Sequence, residues 1–296
     1  MDIIQVITKE LNVEKWQVEA AVKLIDEGCT IPFISRYRKE ATGSLNDEQL
    51  RTLHERLTYL RNLEEKKNQV LGSIEEQGKL TAELKKQILD AQTLVVVEDL
   101  YRPFRPKRRT RAIIAKEKGL EPLANIIMLQ MTDKPIEEEA QDFVSEDKGV
   151  ESVADAINGA KDIIAEHISD EADYRIYLRK LTMDKGSVAS AAKKPEEASV
   201  YEMYYEFEEP IKKLAGHRVL ALNRGEKEKI LTVKVNAPEE EAMGWLQKQV
   251  ITKENPITKP ILREVVEDSY KRLIAPAIER EIRSDLTEKA EDGAIH

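Results

Sequence analysis

The amino-acid sequence predicts a mainly α-helical protein, a multi-helix scaffold that contains a helix-turn-helix-like unit and a small two-stranded β element. Three observations predict this class. Over most of the chain, apolar residues recur three and four positions apart, which is the spacing of one face of an α-helix. Charged residues make up 35% of the 296 residues, against roughly a quarter in an average chain, as long helices with solvated faces require. The chain has only 12 glycines and 4 phenylalanines, which disfavours a strand-rich sandwich.

The first region, residues 1–43, is predicted to form N-terminal helices. Two apolar stripes recur there at helical spacing, and a glycine follows the second stripe, where it is expected to end the helix. The stripes are Ile3, Ile4, Ile7 and Leu11, followed by Trp16, Ala20, Leu24 and Ile25. Residues 31–34 contain a proline and are expected to be extended or turn-like. For the cluster of Arg36, Tyr37, Arg38 and Lys39 we favour internal ion pairs that hold helices together, with contact to nucleic acid or a partner as the alternative.

The second region, residues 44–111, is predicted to contain the helix-turn-helix-like unit and a basic segment. A long helix is expected to begin after Asn46, whose side chain can cap it, with Gln49 placed to complete a capping box. A tight turn, a short helix capped by Thr81 and a third helix ending near Tyr101 follow in the order of a helix-turn-helix. The short helix has no arginine and few amide side chains, so it is poorly suited to sequence-specific DNA recognition.

The rest of the chain is predicted to comprise a helical region at residues 112–200, a small β element at 201–237 and C-terminal helices at 238–296. Apolar residues between positions 153 and 168 form the most regular helical stripe in the sequence. This stripe predicts a long amphipathic helix with one buried face.

The β element is predicted from a turn signal between two apolar stretches. Residues 223–225, Asn-Arg-Gly, are expected to form the turn, with Val219 and Ala221 before it and the alternating residues 231–235 after it. Residues 184–195 are rich in Lys, Ser and Ala, and we expect them to form a mobile loop. The sequence therefore predicts two strands here.

Few residues suit catalytic chemistry, and we predict that the chain is not an enzyme and binds no cofactor or metal. The single cysteine, Cys29, excludes an internal disulfide and a cysteine-based zinc cluster. The four histidines are scattered, and the sequence has no dinucleotide-binding glycine motif. The acidic pair Glu98-Asp99 follows an apolar run. Because adjacent residues do not share a helix face, we interpret this pair as structural rather than as the dyad of a hydrolase.

Charge and hydropathy predict a cytoplasmic protein with no membrane partner. The net charge is −9, so any contact with a phosphate backbone must come from a local basic patch. The sequence does not begin with a basic stretch followed by an apolar core, so we expect no signal peptide. The longest apolar run is far too short to span a bilayer.

One segment carries a strong local positive charge. The candidate nucleic-acid-binding residues are Arg102, Arg105, Lys107, Arg108, Arg109 and Arg111, six basic side chains within ten residues. Arginine suits phosphate oxygens, two prolines hold the segment extended, and the nearby Tyr101 and Phe104 can stack on an exposed base. The alternative that these arginines form internal ion pairs with acidic helices stays open.

Five stretches of the sequence resemble hallmark motifs of the Tex family of bacterial transcription accessory proteins, in the same order and spacing. They are residues 31–40, 99–111, 119–124, 162–166 and 220–225. The resemblance implies a cytoplasmic transcription factor that binds nucleic acid. It also implies that the N-terminal region of this factor is a helical scaffold. It also implies that a ribonuclease-H-like domain, helix-hairpin-helix modules and an OB-type RNA-binding domain follow in the complete protein and are absent from this chain.

We therefore expect the chain to be the non-catalytic N-terminal scaffold part of a nucleic-acid-binding transcription accessory factor. The resemblance implies that the OB-type domain carries most of the affinity, so binding of RNA or DNA by this chain alone is expected to be weak. A second interpretation is a protein-interaction scaffold that contacts the transcription or translation machinery without binding nucleic acid directly. The negative net charge and the weak chemistry for base readout favour this alternative.

Overall fold

The computed structural model of the chain describes residues 1–106 and 108–294, and it is mainly α-helical, as predicted. The chain divides into two compact units, one formed by residues 1–101 and the other beginning at Arg102. The five regions named above are a finer division, and they remain a prediction. None of the helices in the described residues combines the length and the apolar character that crossing a lipid bilayer requires.

The first unit is organised around one long helix. Its helices are α1 (Ile3–Leu11), α2 (Lys15–Asp26), α3 (Ile31–Tyr37), α4 (Lys39–Thr42), α5 (Asp47–Glu76), α6 (Ala82–Asp90) and α7 (Leu94–Tyr101). Helices α1, α2, α3, α6 and α7 all contact α5. The buried apolar face of α5 supplies much of the core through Leu50, Leu53, Leu57, Leu60, Leu63, Val70 and Ile74.

Both predicted helix caps in the first unit are confirmed. The Asn46 side chain accepts a hydrogen bond from the Gln49 amide at 2.8 Å, and the Gln49 side chain accepts one from the Asn46 amide at 3.0 Å. Thr81 Oγ1 accepts a hydrogen bond from the amide of Leu84 at 3.1 Å where α6 begins. The predicted order of long helix, turn, short helix and third helix is therefore present, and a role for it in DNA binding stays a prediction.

The prediction that residues 31–34 are extended or turn-like is wrong, because they form the first turn of α3. Thr30 caps this helix, and its Oγ1 accepts a hydrogen bond from the Phe33 amide at 3.3 Å. Pro32 is tolerated because amides of a first helical turn have no acceptor within the helix, so no hydrogen bond is lost. Helix α3 buries Ile34 and leaves most of its other side chains exposed.

The second unit combines helices with a small sheet. Its helices are α8 (Arg111–Glu117), α9 (Glu121–Leu129), α10 (Ile136–Gln141), α11 (Val153–Asp170), α12 (Ala172–Lys185), α13 (Gly216–Lys227), α14 (Glu239–Val250), α15 (Thr258–Asp268) and α16 (Ala275–Ala294). A π-helical turn, Ser269–Ile274, joins α15 to α16. Helices α8, α9, α10 and α15 all contact α11. The predicted stripe is confirmed, since α11 buries Ala156, Ala160, Ile163, Ile164 and Ile168.

The β element has three strands rather than the predicted two. They are β1 (Ser187–Ala192), β2 (Glu206–Pro210) and β3 (Leu231–Asn236), which form an antiparallel sheet in the order β2-β1-β3. Strand β1 lies in the segment that was predicted to be a mobile loop. Its side chains are small, so the alternation of buried Val188 and Ser190 with more exposed neighbours gives only a weak apolar pattern. The Ser190 hydroxyl donates a hydrogen bond to the Tyr204 carbonyl at 2.6 Å, which satisfies the buried polar group.

The predicted turn at residues 223–225 is also wrong, since these residues lie within α13. Val219 and Leu222 are buried three positions apart, as expected for one face of a helix. Gly225 lies directly against the Leu231 side chain of β3, and a Cβ atom at position 225 would overlap it. The glycine therefore permits close packing of α13 against the sheet. From the sequence pattern alone, a glycine that allows such packing cannot be distinguished from a glycine in a turn.

Candidate nucleic-acid interface

The basic segment, residues 102–111, begins with a short 3-10 turn and ends at the first residue of α8. Arg102–Phe104 form the turn, and Thr110 caps α8 by accepting a hydrogen bond from the Ile113 amide at 3.2 Å. Two prolines keep the segment out of α-helix, as predicted, but its first three residues form the 3-10 turn and are not extended as expected. Lys107, one of the predicted contact residues, lies outside the described residues.

The start of the basic segment is attached to a cluster of arginines around one carboxylate. Arg102 Nη2 donates to Glu281 Oε1 at 3.4 Å, and Arg175 Nη2 donates to the same oxygen at 3.1 Å. Arg179 Nη1 donates to Glu281 Oε2 at 3.1 Å. The Arg175 side chain is only 1% exposed, and the other three side chains are mostly buried. Arg102 therefore has an internal partner, as the ion-pair alternative expects, and it fixes the position of the segment at its beginning.

The second half of the basic segment presents arginines to solvent. Arg108 and Arg109 are both exposed. Arg109 Nη2 forms an ion pair with Glu117 Oε2 at 2.8 Å, although 67% of the Arg109 side chain remains exposed. A surface pair of this kind contributes at most about 1 kcal/mol, so a phosphate group can readily replace the carboxylate. Arg108 and Arg109 are therefore the arginines of the segment best placed to contact a phosphate backbone.

Arg111, at the first position of α8, is exposed but has an acidic neighbour. Burial raises the pKa of the Asp162 carboxyl, and the positive charges of Arg272 and Arg111 act against that rise. Because the pKa is raised overall, desolvation outweighs the two guanidinium groups. Arg111 therefore interacts electrostatically with the Asp162 carboxylate of the protein itself. This interaction competes with contact between Arg111 and a phosphate group.

A cleft of about 390 Å³ lies beside the basic segment. Charged groups of both signs line it, namely Arg105 and Lys116 together with Glu121, Glu166 and Asp170. Since these charges oppose one another, the cleft is not a phosphate site by itself. The positive potential of the candidate interface comes instead from the exposed arginines next to it.

The acidic pair considered for hydrolysis occupies two different environments. Glu98 Oε1 forms an ion pair with Lys66 Nζ at 2.8 Å, whereas the Asp99 side chain is buried. In the described part of the chain, no three His, Cys, Asp or Glu side chains lie close enough together to hold a metal ion.

The interpretation of the other basic cluster is wrong. Arg36, Arg38 and Lys39 were expected to form internal ion pairs, but all three side chains are exposed and none has an ion-pair partner within residues 1–106 and 108–294. Phe33 and Tyr37 lie among them, four positions apart on α3. This interleaving of aromatic and basic residues was visible in the sequence, and it was the available signal that the cluster faces outward.

The sequence matches two family models that together cover most of the chain. Residues 1–75 match the model described as Tex-like protein N-terminal domain. Residues 131–296 match the model described as Tex central region-like.

Several curated proteins are similar over nearly the whole chain. The uncharacterized protein YdcI of Bacillus subtilis is 49% identical over 295 residues, which is 99% of this chain and 41% of that protein. The transcriptional accessory protein Tex of Neisseria gonorrhoeae is 36% identical over 302 residues, covering 100% of this chain and 40% of that protein. The human S1 RNA-binding domain-containing protein 1 is 31% identical over 310 residues, which cover 99% of this chain and 31% of that protein. The chain thus spans about two fifths of the length of these bacterial relatives.

Proposed function

This chain belongs to the Tex family, and we propose that it is the N-terminal scaffold part of a nucleic-acid-binding transcription accessory factor, with a non-catalytic role. The relatives named for transcription and for an S1 RNA-binding domain support a role connected with nucleic acid. The mainly helical architecture supports the scaffold role. We further propose a cytoplasmic location and contact with the transcription machinery.

The observation that carries the proposal is the arrangement of the basic segment. Its beginning is held by the contact of Arg102 with Glu281, and its end is held by the Thr110 cap of α8. Between these two points, Arg108 and Arg109 are exposed. Because the backbone is fixed on both sides, binding a phosphate there costs less conformational entropy than ordering a free chain would.

A comparison of matched charge variants tests this proposal. The test variant is Arg105→Gln, Lys107→Gln, Arg108→Gln and Arg109→Gln. The control variant is Lys213→Gln, Lys227→Gln, Lys234→Gln and Lys248→Gln, which removes the same charge from exposed lysines without ion pairs among the described residues. Binding is measured by fluorescence anisotropy with labelled single-stranded RNA and duplex DNA. We expect the test variant to bind more weakly than the control variant on both probes, with unchanged circular dichroism.

The protein-interaction scaffold remains the second candidate. Four exposed apolar side chains in the second unit favour it, namely Leu129, Met131, Val200 and Met203. If the unaltered chain binds neither probe even at low salt, where phosphate contacts are strongest, the nucleic-acid proposal is wrong and this alternative replaces it.

A further inference from the structure

A compact group of exposed aromatic and basic side chains lies at the junction of α3 and α4. We call it the α3 patch, and its residues are Phe33, Arg36, Tyr37, Arg38 and Lys39. Helix α3 buries Ile34 in the core of the first unit, whereas Phe33, Arg36 and Tyr37 on the same helix are exposed. Tyr37 is 57% exposed and Phe33 is 37% exposed, which is unusual for two neighbouring aromatic rings.

The aromatic rings and one guanidinium of the α3 patch are arranged by contacts among themselves. The centroids of the Phe33 and Tyr37 rings are 5.4 Å apart, with the planes inclined by 49°. The Arg38 guanidinium lies over the Phe33 ring, 5.0 Å from its centroid, and donates a hydrogen bond to the Tyr37 carbonyl at 2.9 Å. Phe33 therefore positions Arg38, while Tyr37 remains the ring with the most accessible surface.

The basic side chains of the α3 patch form no ion pairs within the part of the chain that the structure describes. Residues 31–43 contain three basic side chains and one acidic side chain, Glu40, in a chain whose net charge is −9. Elsewhere in the first unit, Arg56 and Arg61 each make two hydrogen bonds to one carboxylate, at 2.8 to 2.9 Å. Arg36 and Arg38 have no such partner in the described part of the chain. Their guanidinium groups are therefore available to an external anion.

We propose that the α3 patch is a contact surface for single-stranded nucleic acid, on which Tyr37 stacks against an unpaired base and Arg36, Arg38 and Lys39 contact the adjoining phosphates. An exposed aromatic ring among unpaired cations matches the chemistry of an unpaired base on an anionic backbone. A duplex keeps its bases stacked and offers only phosphates, so it should gain little from Tyr37. The inference rests on the proposed function of the chain, but it concerns a second surface that is separate in sequence from the basic segment.

Two substitutions of one residue separate stacking from structural effects. Tyr37→Phe keeps the aromatic ring, and Tyr37→Ala removes it. Anisotropy titrations of the 296-residue chain use a labelled single-stranded RNA and a duplex of the same sequence. We expect Tyr37→Ala to weaken binding of the single strand by about 5-fold or more. Tyr37→Phe should bind within about 2-fold of the unaltered chain, and the duplex should be insensitive to both changes.

A second pair of variants tests the charges. Arg36→Gln with Arg38→Gln should lower the salt dependence of single-strand binding by a slope of about 1.4, since each phosphate contact on a single strand contributes about 0.7. Lys227→Gln with Lys234→Gln removes the same charge from exposed positions in the second unit and should leave the slope unchanged. An RNA that carries 5-iodouridine should cross-link to the peptide that contains Tyr37.

The outcomes separate this inference from the proposed function. If the unaltered chain binds RNA, and Tyr37→Ala binds it with the same affinity as Tyr37→Phe, the α3 patch is not a stacking surface and would instead face a protein partner. If Arg36→Gln with Arg38→Gln alters the slope no more than the control with Lys227 and Lys234 changed does, the proposed phosphate contacts of the α3 patch are wrong. Binding of the duplex without binding of single-stranded RNA would overturn this inference and leave the proposed function standing. Binding of neither probe by the unaltered chain would overturn both.

Discussion

Replacing Glu281 by glutamine should destabilise the second unit, because this carboxylate accepts hydrogen bonds from three arginines. Arg102 and Arg175 donate to one oxygen and Arg179 to the other. A glutamine of the same size keeps only one acceptor oxygen and turns an NH₂ group toward a guanidinium that has no acceptor to offer. The substitution also removes the negative charge that offsets the buried Arg175.

The size of the effect follows from burial. Removing one partner of a buried ion pair costs about 3–5 kcal/mol. The Glu281 side chain is 22% exposed, so solvent screens part of the lost interaction, and we expect about 2–3 kcal/mol. In a domain of about 200 residues, each kcal/mol lowers the Tm by about 2–4 °C, which gives a fall of about 4–12 °C.

Differential scanning calorimetry and urea unfolding measure this loss. Glu279→Gln is a suitable control on the same helix, because Glu279 Oε1 accepts a hydrogen bond from the Val235 amide at 3.0 Å and a glutamine oxygen can still accept it. We expect this control to change the free energy of unfolding by less than about 1 kcal/mol. A Tm for Glu281→Gln within about 1 °C of the unaltered protein would refute the account of the arginine cluster.

Substitutions at three further positions probe other parts of the structure. Gly225→Ala should lower the free energy of unfolding by about 1–3 kcal/mol, since its Cβ would overlap Leu231, and a neutral effect in urea unfolding would contradict this. Asn46→Ala removes half of the capping box with Gln49 and should cost about 1 kcal/mol by the same assay, whereas Asn46→Ser should restore most of it. Because burial raises the folded-state pKa of Asp162 above its unfolded value, this carboxyl opposes folding when ionised, and its contribution becomes more favourable as pH falls through the folded pKa. NMR titration should give Asp162 a pKa above that of an exposed aspartate. The substitution Asp162→Asn should abolish this part of the pH dependence of stability. An Asp162 pKa at or below the ordinary aspartate value would show that Arg272 and Arg111 outweigh desolvation.

The elements that the sequence predicted well are those whose own residues determine them. The capping box of Asn46 and Gln49 is a local arrangement, and it begins α5 as expected. The stripe in α11 buries a full apolar face, so its period is visible without knowledge of any neighbour.

The elements that the sequence missed depend on contacts with distant residues. Strand β1 has small side chains, and it is defined by pairing with β2 and β3, for example through Val188 opposite Val235. Gly225 resembles a turn residue until Leu231 is seen against it. Ion pairing likewise depends on which helix lies opposite a charged side chain. Arg102 forms an ion pair with Glu281, 179 positions away in the sequence. Arg36 and Arg38 form no ion pair with an acidic side chain in the described residues.

A salt titration tests the proposal that the basic segment of this chain contacts a phosphate backbone. The most direct measurement is the slope of log K against log salt concentration for single-stranded RNA, determined for the unaltered chain and for the variant with Arg105, Lys107, Arg108 and Arg109 changed to Gln. Each lost phosphate contact should reduce the slope by about 0.7, so we predict a reduction of about 1.4 or more, from Arg108 and Arg109 at least. Equal slopes and equal affinities for the two proteins would contradict the claim.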